Sequence, residues 1–383
     1  MSQSPIQVDM QVRFLDLEAQ TAPLREELLA AIARVVDSTQ FILGERVRRL
    51  EEQLAEYCGA RFAVGCASGS DALLLALKTC GVGAGDRVLT VPFTFFATAG
   101  AVTLAGATPV FVDVEADTFN IDVSQVEAAL DRNPGIKAIL PVHLFGGCAD
   151  MDALNTLAAA RGIAVIEDAA QSIGSEYKSR RAGGIGTVGC FSFYPTKNLG
   201  AFGDGGLCTT NDEALAAKLR ALRVHGRTGT YYHEWVGLAS RLDAIQAAIL
   251  EVKLKYLDGW SEARARNAAL YTRLFGEHGI PVLVPRPAPY QTRHIFHQYV
   301  IRAGRDRDAL QQFLKSRGVA SEVYYPLALH QQPCFSFLGH APGDFPVSEE
   351  LARTVLALPV HSDLTAEQIE YVVEQVHAYF DGR

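Results

Sequence analysis

Residues 136–171 read IKAILPVHLFGGCADMDALNTLAAARGIAVIEDAAQ. Two short apolar runs, IKAILPV at 136–142 and IAVIED at 163–168, flank a stretch with helical spacing at 150–161. Unbroken apolar runs, rather than alternation, suit strands buried on both faces. The rhythm continues upstream. RVLTV at 87–91 and TPVFVDV at 108–114 are spaced by helical patterns at 71–80, 96–105 and 123–131. Strands alternating with helices of about ten to fifteen residues predict βαβ units, hence an α/β fold with a mainly parallel sheet flanked by helices.

Outward from this block, the first 60 residues are helical. Leu24, Leu28, Ile32 and Val35 recur at helical spacing, as do Val47, Leu50, Leu54 and Tyr57, with Gly59 as a stop. CFSFYP at 190–195 and GLCTT at 206–210 predict two further strands, and a long helical pattern runs from about 240 to 275. Pro281, Pro285, Pro287 and Pro289 then crowd a linker. Beyond it, HQYVIRA at 297–303 and ASEVYY at 320–325 read as strands, and 306–317 and 365–379 as helices. The expectation is a large domain over 1–258 and a smaller C-terminal α+β domain over 259–383.

Bulk properties narrow the function. A net charge of −8 disfavours nucleic acid as a partner, because phosphate backbones attract basic surfaces. Seven cysteines without CxxC pairs read as reduced thiols in a cytoplasmic protein. The start, MSQSPIQVDMQVRFLDL, has no basic segment followed by an apolar run, so no export signal is expected. No apolar stretch approaches a membrane span of about 18 residues. Gly81-Val82-Gly83-Ala84-Gly85 lies between a helix and a strand, the reverse of a dinucleotide-binding loop, and reads as a turn. No GxxxxGK[ST], HExxH or GxSxG is present, no Cys/His spacing suits zinc, and no metal is expected.

Four segments carry chemistry. Ser68-Gly69-Ser70-Asp71 precedes an apolar helix, where small residues and the helix dipole admit a phosphate. Ser70 or Asp71 as a plain N-cap is the competing reading. IAVIEDAAQ at 163–171 ends a strand in Glu167 and Asp168, at the edge where α/β sheets bind ligands. An acid there suits a protonated ring nitrogen, with Gln171 in reach of the same ring; a capping role for Asp168 is the alternative. FSFYPTKN at 191–198 runs an aromatic strand into a turn holding Lys197, flanked by Ser192 and by glycines at 200, 203, 205 and 206. A lysine whose pKa is lowered forms imines, whereas most lysines simply face solvent. PFTFFAT at 92–98 offers an aromatic for stacking on a flat ring, or else core.

On EDAAQ at 167–171, FSFYPTKNLGAFGDGG at 191–206 and SRLDAIQAAIL at 240–250, the chain resembles the DegT-type (DegT/DnrJ/StrS) sugar aminotransferases over nearly its whole length. The resemblance implies the pyridoxal-phosphate-dependent transferase fold of type I, with pyridoxal 5′-phosphate as cofactor. Lys197 resembles the imine lysine and Asp168 the partner of the ring nitrogen. Gln171 would meet the ring hydroxyl, Gly69, Ser70 and Ser192 the phosphate, and Phe95 the ring face. The substrates implied are an amino acid donor, L-glutamate, and a nucleotide-linked 3-keto or 4-keto hexose. HEWVGLASRLD at 233–243 and YYPLALHQQPCF at 324–335 look more like relatives acting at the 3-position. Arg227, Tyr231, His233, Tyr324 and His330 are candidate substrate contacts, each with an ordinary surface role as the alternative. The family works as a homodimer with shared active sites.

Two positions depart from the family pattern. Ala239 stands where an asparagine often reaches the partner's phosphate, and Tyr324 where histidine often precedes Tyr-Pro. Relatives that dehydrate sugars carry histidine in place of the lysine. A different pyridoxal-phosphate reaction, such as dehydration, or a non-catalytic regulator of the same fold are the rival functions.

Overall fold

The computed structural model describes residues 10–382. The stretch 1–9, which opens the segment read for an export signal, lies outside them. Two amphipathic helices lead, α1 (Arg25–Ser38) and α2 (Gly44–Tyr57). They bury Leu28, Ala31 and Val35, and Val47, Leu50 and Leu54, and Gly59 follows with φ +65°.

The sheet has seven strands: β1 (Phe62–Cys66), β2 (Arg87–Thr90), β3 (Thr108–Phe111), β4 (Ile136–Ile139), β5 (Ala164–Asp168), β6 (Val188–Ser192) and β7 (Gly206–Thr210). Their spatial order is β1-β7-β6-β5-β4-β2-β3. Strands β3, β2, β4, β5 and β6 pair in parallel; β7 is antiparallel to both β6 and β1. Helices α3 (Gly69–Thr79), α4 (Ala97–Leu104), α5 (Val123–Arg132), α6 (Met151–Ala159) and α7 (Glu213–Leu222) pack on the sheet. Burial on both faces explains the unbroken apolar runs: Val165 to Asp168 are all buried. The glycine run at 81–85 is a turn, with Gly81 and Gly85 at positive φ and the Gly83 N–H bonded to Asp86.

The helical pattern at 240–275 is two helices, α8 (Ala244–Leu254) and α9 (Leu257–Glu277). The second runs into a C-terminal core with β8 (Tyr299–Arg302), α10 (Arg307–Ser316), β9 (Val355–Leu358) and α11 (Ala366–Asp381). Its antiparallel partners correct one expectation. ASEVYY is not a strand: it makes a single bridge, Glu322 to Ala357, and ends with Tyr325 at φ +57°. The strand paired with β8 is β9, which follows directly on the helix Pro346–Thr354. Val12 pairs with Val319, so the first described residues pack in this C-terminal core. No helix among the described residues is long and apolar enough to cross a membrane.

Candidate active site

Three chain segments meet at the carboxyl ends of the parallel strands, where this class of sheet binds ligands. Strand β5 delivers Asp168, buried, at its last residue. The Thr98 hydroxyl donates to its Oδ2 at 2.8 Å and the Ala170 N–H to its Oδ1 at 3.2 Å. Asp168 therefore caps no helix. Burial pushes its pKa up, against the pull of those two donors and of Lys197.

Strand β6 ends at Ser192 and runs into the turn that carries Lys197. The Lys197 N–H donates to the Tyr194 carbonyl and the Ala201 N–H to the Phe193 carbonyl, each at 2.8 Å. Gly200 makes the turn possible, since a Cβ there would lie 2.3 Å from the Pro195 carbonyl oxygen. Lys197 is partly buried. Desolvation lowers its pKa to about 8, although the Asp168 charge works the other way. Lysine and aspartate are thus within electrostatic reach of one another.

The third segment is the start of α3. Ser68 is its N-cap, not Ser70 or Asp71: the Ser68 side chain accepts the Asp71 N–H at 3.1 Å. The N–H groups of Gly69 and Ser70 head the helix, where the dipole favours an anion. Gly69 is pressed against Ser192: a Cβ at 69 would lie 2.6 Å from the Ser192 Cβ. That contact brings the helix start and the Ser192 hydroxyl into one cradle.

Gln171 is buried, with Oε1 accepting the Phe145 N–H at 2.8 Å and Nε2 donating to the Tyr325 hydroxyl at 2.9 Å. Among the described residues, the other Nε2 hydrogen has no acceptor. Phe95 is 59% exposed beside the fully buried Phe93. Tyr324 adjoins Tyr325, packs on Phe14 and Phe145, and accepts from Gln298 at 3.0 Å. Other candidates are not gathered here. Arg227, Tyr231 and His233 lie on an exposed hairpin, Tyr231 at 93% exposure. His330 is no surface residue: it is buried against Phe345 and paired with Glu349 at 3.2 Å. Ala239 is exposed, pairs through its backbone with Val224, and presents only a methyl group.

Several site residues escape sequence reasoning. Thr98 bonds Asp168 directly, and Thr94 bonds Thr98 at 3.1 Å. Their four-residue spacing within PFTFFAT was the available signal. Asn198, next to Lys197, bonds His297 Nδ1 at 2.7 Å, and burial holds that imidazole far below its usual pKa. Nothing in the sequence announced this partner, which comes from 99 residues away.

The arrangement asks for a ligand with three features. An amine that is partly neutral near pH 8 suits an aldehyde, a buried carboxylate suits a basic ring nitrogen, and the helix start suits a phosphate. Pyridoxal 5′-phosphate has all three, and the residues present fit it, so this is a pyridoxal-phosphate-dependent enzyme. Comparison with known proteins refines the class. Residues 23–377 match the DegT/DnrJ/EryC1/StrS aminotransferase family, and the chain belongs to it. It is 50% identical to a protein of Geobacillus stearothermophilus named pleiotropic regulatory protein, across 97% of this chain and 99% of that one. It is 44% identical to the UDP-N-acetyl-3-dehydro-alpha-D-glucosamine 3-aminotransferase of Acidithiobacillus ferrooxidans, across 97% of this chain and 98% of that enzyme. The crystal structure of S. venezuelae DesV with a ketimine intermediate superposes with a TM-score of 0.93 at 42% identity, covering 96% of this chain and 98% of that one.

Proposed function

We propose that this aminotransferase moves the amino group of L-glutamate onto the 3-keto carbon of a nucleotide-linked hexose, as a cytoplasmic homodimer. The observation that carries the transaminase reading is the Lys197 amine, its pKa lowered to about 8, set beside buried Asp168 at the strand ends. The 3-position rests on the names of relatives, including the Acidithiobacillus enzyme at 44% identity. All seven cysteines are free, which suits a reducing compartment. Exposed Leu29, Val36, Phe41, Ile42 and Phe202 support a dimer.

Bound pyridoxal phosphate supplies an electron sink for charge developing on the substrate carbon. The chain supplies the rest. Lys197 would anchor the cofactor and, once released, would carry the proton from the donor's α-carbon to the cofactor and, in the second half-reaction, from the cofactor to the sugar carbon. Asp168 keeps the ring nitrogen protonated. The Gly69 and Ser70 N–H groups and the Ser192 hydroxyl would hold the phosphate. Phe95, exposed, would cover the ring, and the Gln171 amide would meet the ring hydroxyl. The Ala239 side chain offers no donor to a partner's phosphate, so the chain's own cradle would bear more of that task. In a homodimer, Arg227, Tyr231 and His233, exposed on their hairpin, would be free to reach the partner's site.

The test is to supply glutamate and measure 2-oxoglutarate, then screen keto-sugar nucleotides for the reverse change in cofactor absorbance. Lys197→Ala removes turnover. Full activity in that variant, or no 2-oxoglutarate from wild type, defeats the reading. The regulator reading draws on the Geobacillus relative's name, and it gains if the protein binds cofactor yet never consumes glutamate. Mixing Lys197→Ala chains with Arg227→Ala chains tests the dimer: shared sites restore activity in the mixture.

A further inference from the structure

Two threonines behind Asp168 have a direction built into them. Both are 1% exposed. Thr98 Oγ1 lies 2.8 Å from Asp168 Oδ2, and Thr94 Oγ1 lies 3.1 Å from Thr98 Oγ1. An ionised carboxylate only accepts, so Thr98 spends its one proton on Asp168. Its oxygen is then left to accept, and the Thr94 proton must point at it. The Ala170 N–H occupies the other carboxylate oxygen at 3.2 Å. Each oxygen thus has one fixed donor and keeps a lone pair for a further one.

We propose that Thr98, set by Thr94, is a positioning residue for transamination: it keeps the Asp168 carboxylate ionised and turned toward the cofactor's ring nitrogen. This rests on the reading that Asp168 faces that nitrogen. The other titratable groups facing Asp168 are Lys197, His143, Cys190 and Tyr325. Burial pushes the Cys190 thiol and the Tyr325 hydroxyl up, so both are neutral near pH 7. A threonine hydroxyl does not titrate at all, so its support of the anion persists across the working pH range. A site that must hold a carboxylate charged despite burial needs such a donor.

The experiment loads the holoenzyme with ring-¹⁵N-labelled pyridoxal phosphate and compares wild type, Thr98→Val, Thr98→Ser, Thr94→Val and Asp168→Asn. Thr98→Val keeps shape and removes the donor. Its ¹⁵N resonance should move toward the neutral-nitrogen position and its kcat should fall about tenfold, the cost of one hydrogen bond to a charged group, with the donor KM changing less. Thr98→Ser should restore both, and Thr94→Val should move both in the same direction by less. Should the valine variant not fold, Thr98→Ala takes its place. An unmoved resonance in Thr98→Val overturns the proposal, and so does a fall in kcat without that movement. If Asp168→Asn leaves the ring nitrogen protonated, it is the assignment of Asp168 that fails.

Discussion

The ionisation of Lys197 can be measured in the cofactor-free protein. Burial lowers its pKa from 10.5 to about 8. At pH 7 about one amine in ten is then neutral, against about one in three thousand for an ordinary lysine, a gain of about 300-fold in the reactive form. The perturbation is Asp168→Asn. It removes the negative charge that pulls the Lys197 pKa up, so the midpoint should move below that of wild type. The assay is the rate of Lys197 modification by an amine-selective reagent from pH 6 to 11, read peptide by peptide by mass spectrometry. A wild-type midpoint at 10 or above, or an upward move in Asp168→Asn, refutes the reasoning. The same shift has a stability sign. The unfolded chain binds more protons than the folded one between about pH 8 and 10.5, so this group's cost is complete below 8 and disappears above 10.5. Replacing Lys197 with Met should therefore stabilise the cofactor-free protein at pH 7, by up to about 3 kcal/mol, and leave it unchanged at pH 11. Thermal melts at the two pH values check this.

Gly69→Ala should weaken cofactor binding about a hundredfold, because roughly 1 Å of separation is needed to relieve the clash with Ser192, while the helix itself tolerates alanine. Cofactor titration by fluorescence measures the first effect, and a melt of the cofactor-free protein shows the second. Glu167→Gln should cost about 1–3 kcal/mol in urea unfolding, because an amide NH2 then faces backbone N–H donors. Fully buried Glu167 accepts from the Gly183 and Ile185 N–H groups at 2.8 and 2.9 Å and pairs with His143 at 2.9 Å. Burial alone raises the Glu167 pKa, but His143 and the Gly186 and Gly183 N–H groups outweigh it and lower it overall. Its stabilisation is therefore present above the usual carboxylate pKa and lost as pH falls through the lowered one; acid unfolding that ignores the substitution contradicts this.

Much of the molecule was readable from residue order. Strands buried on both faces must be apolar throughout, which exposed β2 to β5 as runs. The helices at 25–38 and 44–57 followed from one buried stripe each. Where local signals pointed two ways, the reading failed. ASEVYY has strand-forming residues, yet the C-terminal core takes Val355–Leu358 as the neighbour of β8 and turns Tyr325 into the left-handed region. The continuous apolar pattern at 240–275 concealed the break near Lys255.

Sequence alone singled out Lys197, Asp168, Gln171 and the Ser68–Ser70 turn, because reactive residue types stood at the ends of recognisable strands and helices. It also specified the family, through EDAAQ and FSFYPTKNLGAFGDGG. Tertiary structure decided what those residues can do. Lysine is an ordinary surface cation until burial takes it to about 8. The carboxylate of Asp168 is oriented only once Thr98 reaches it from 70 residues away. Tyr325 finds Gln171 across 154 residues. Such partnerships depend on distance and desolvation, which the order of residues does not contain.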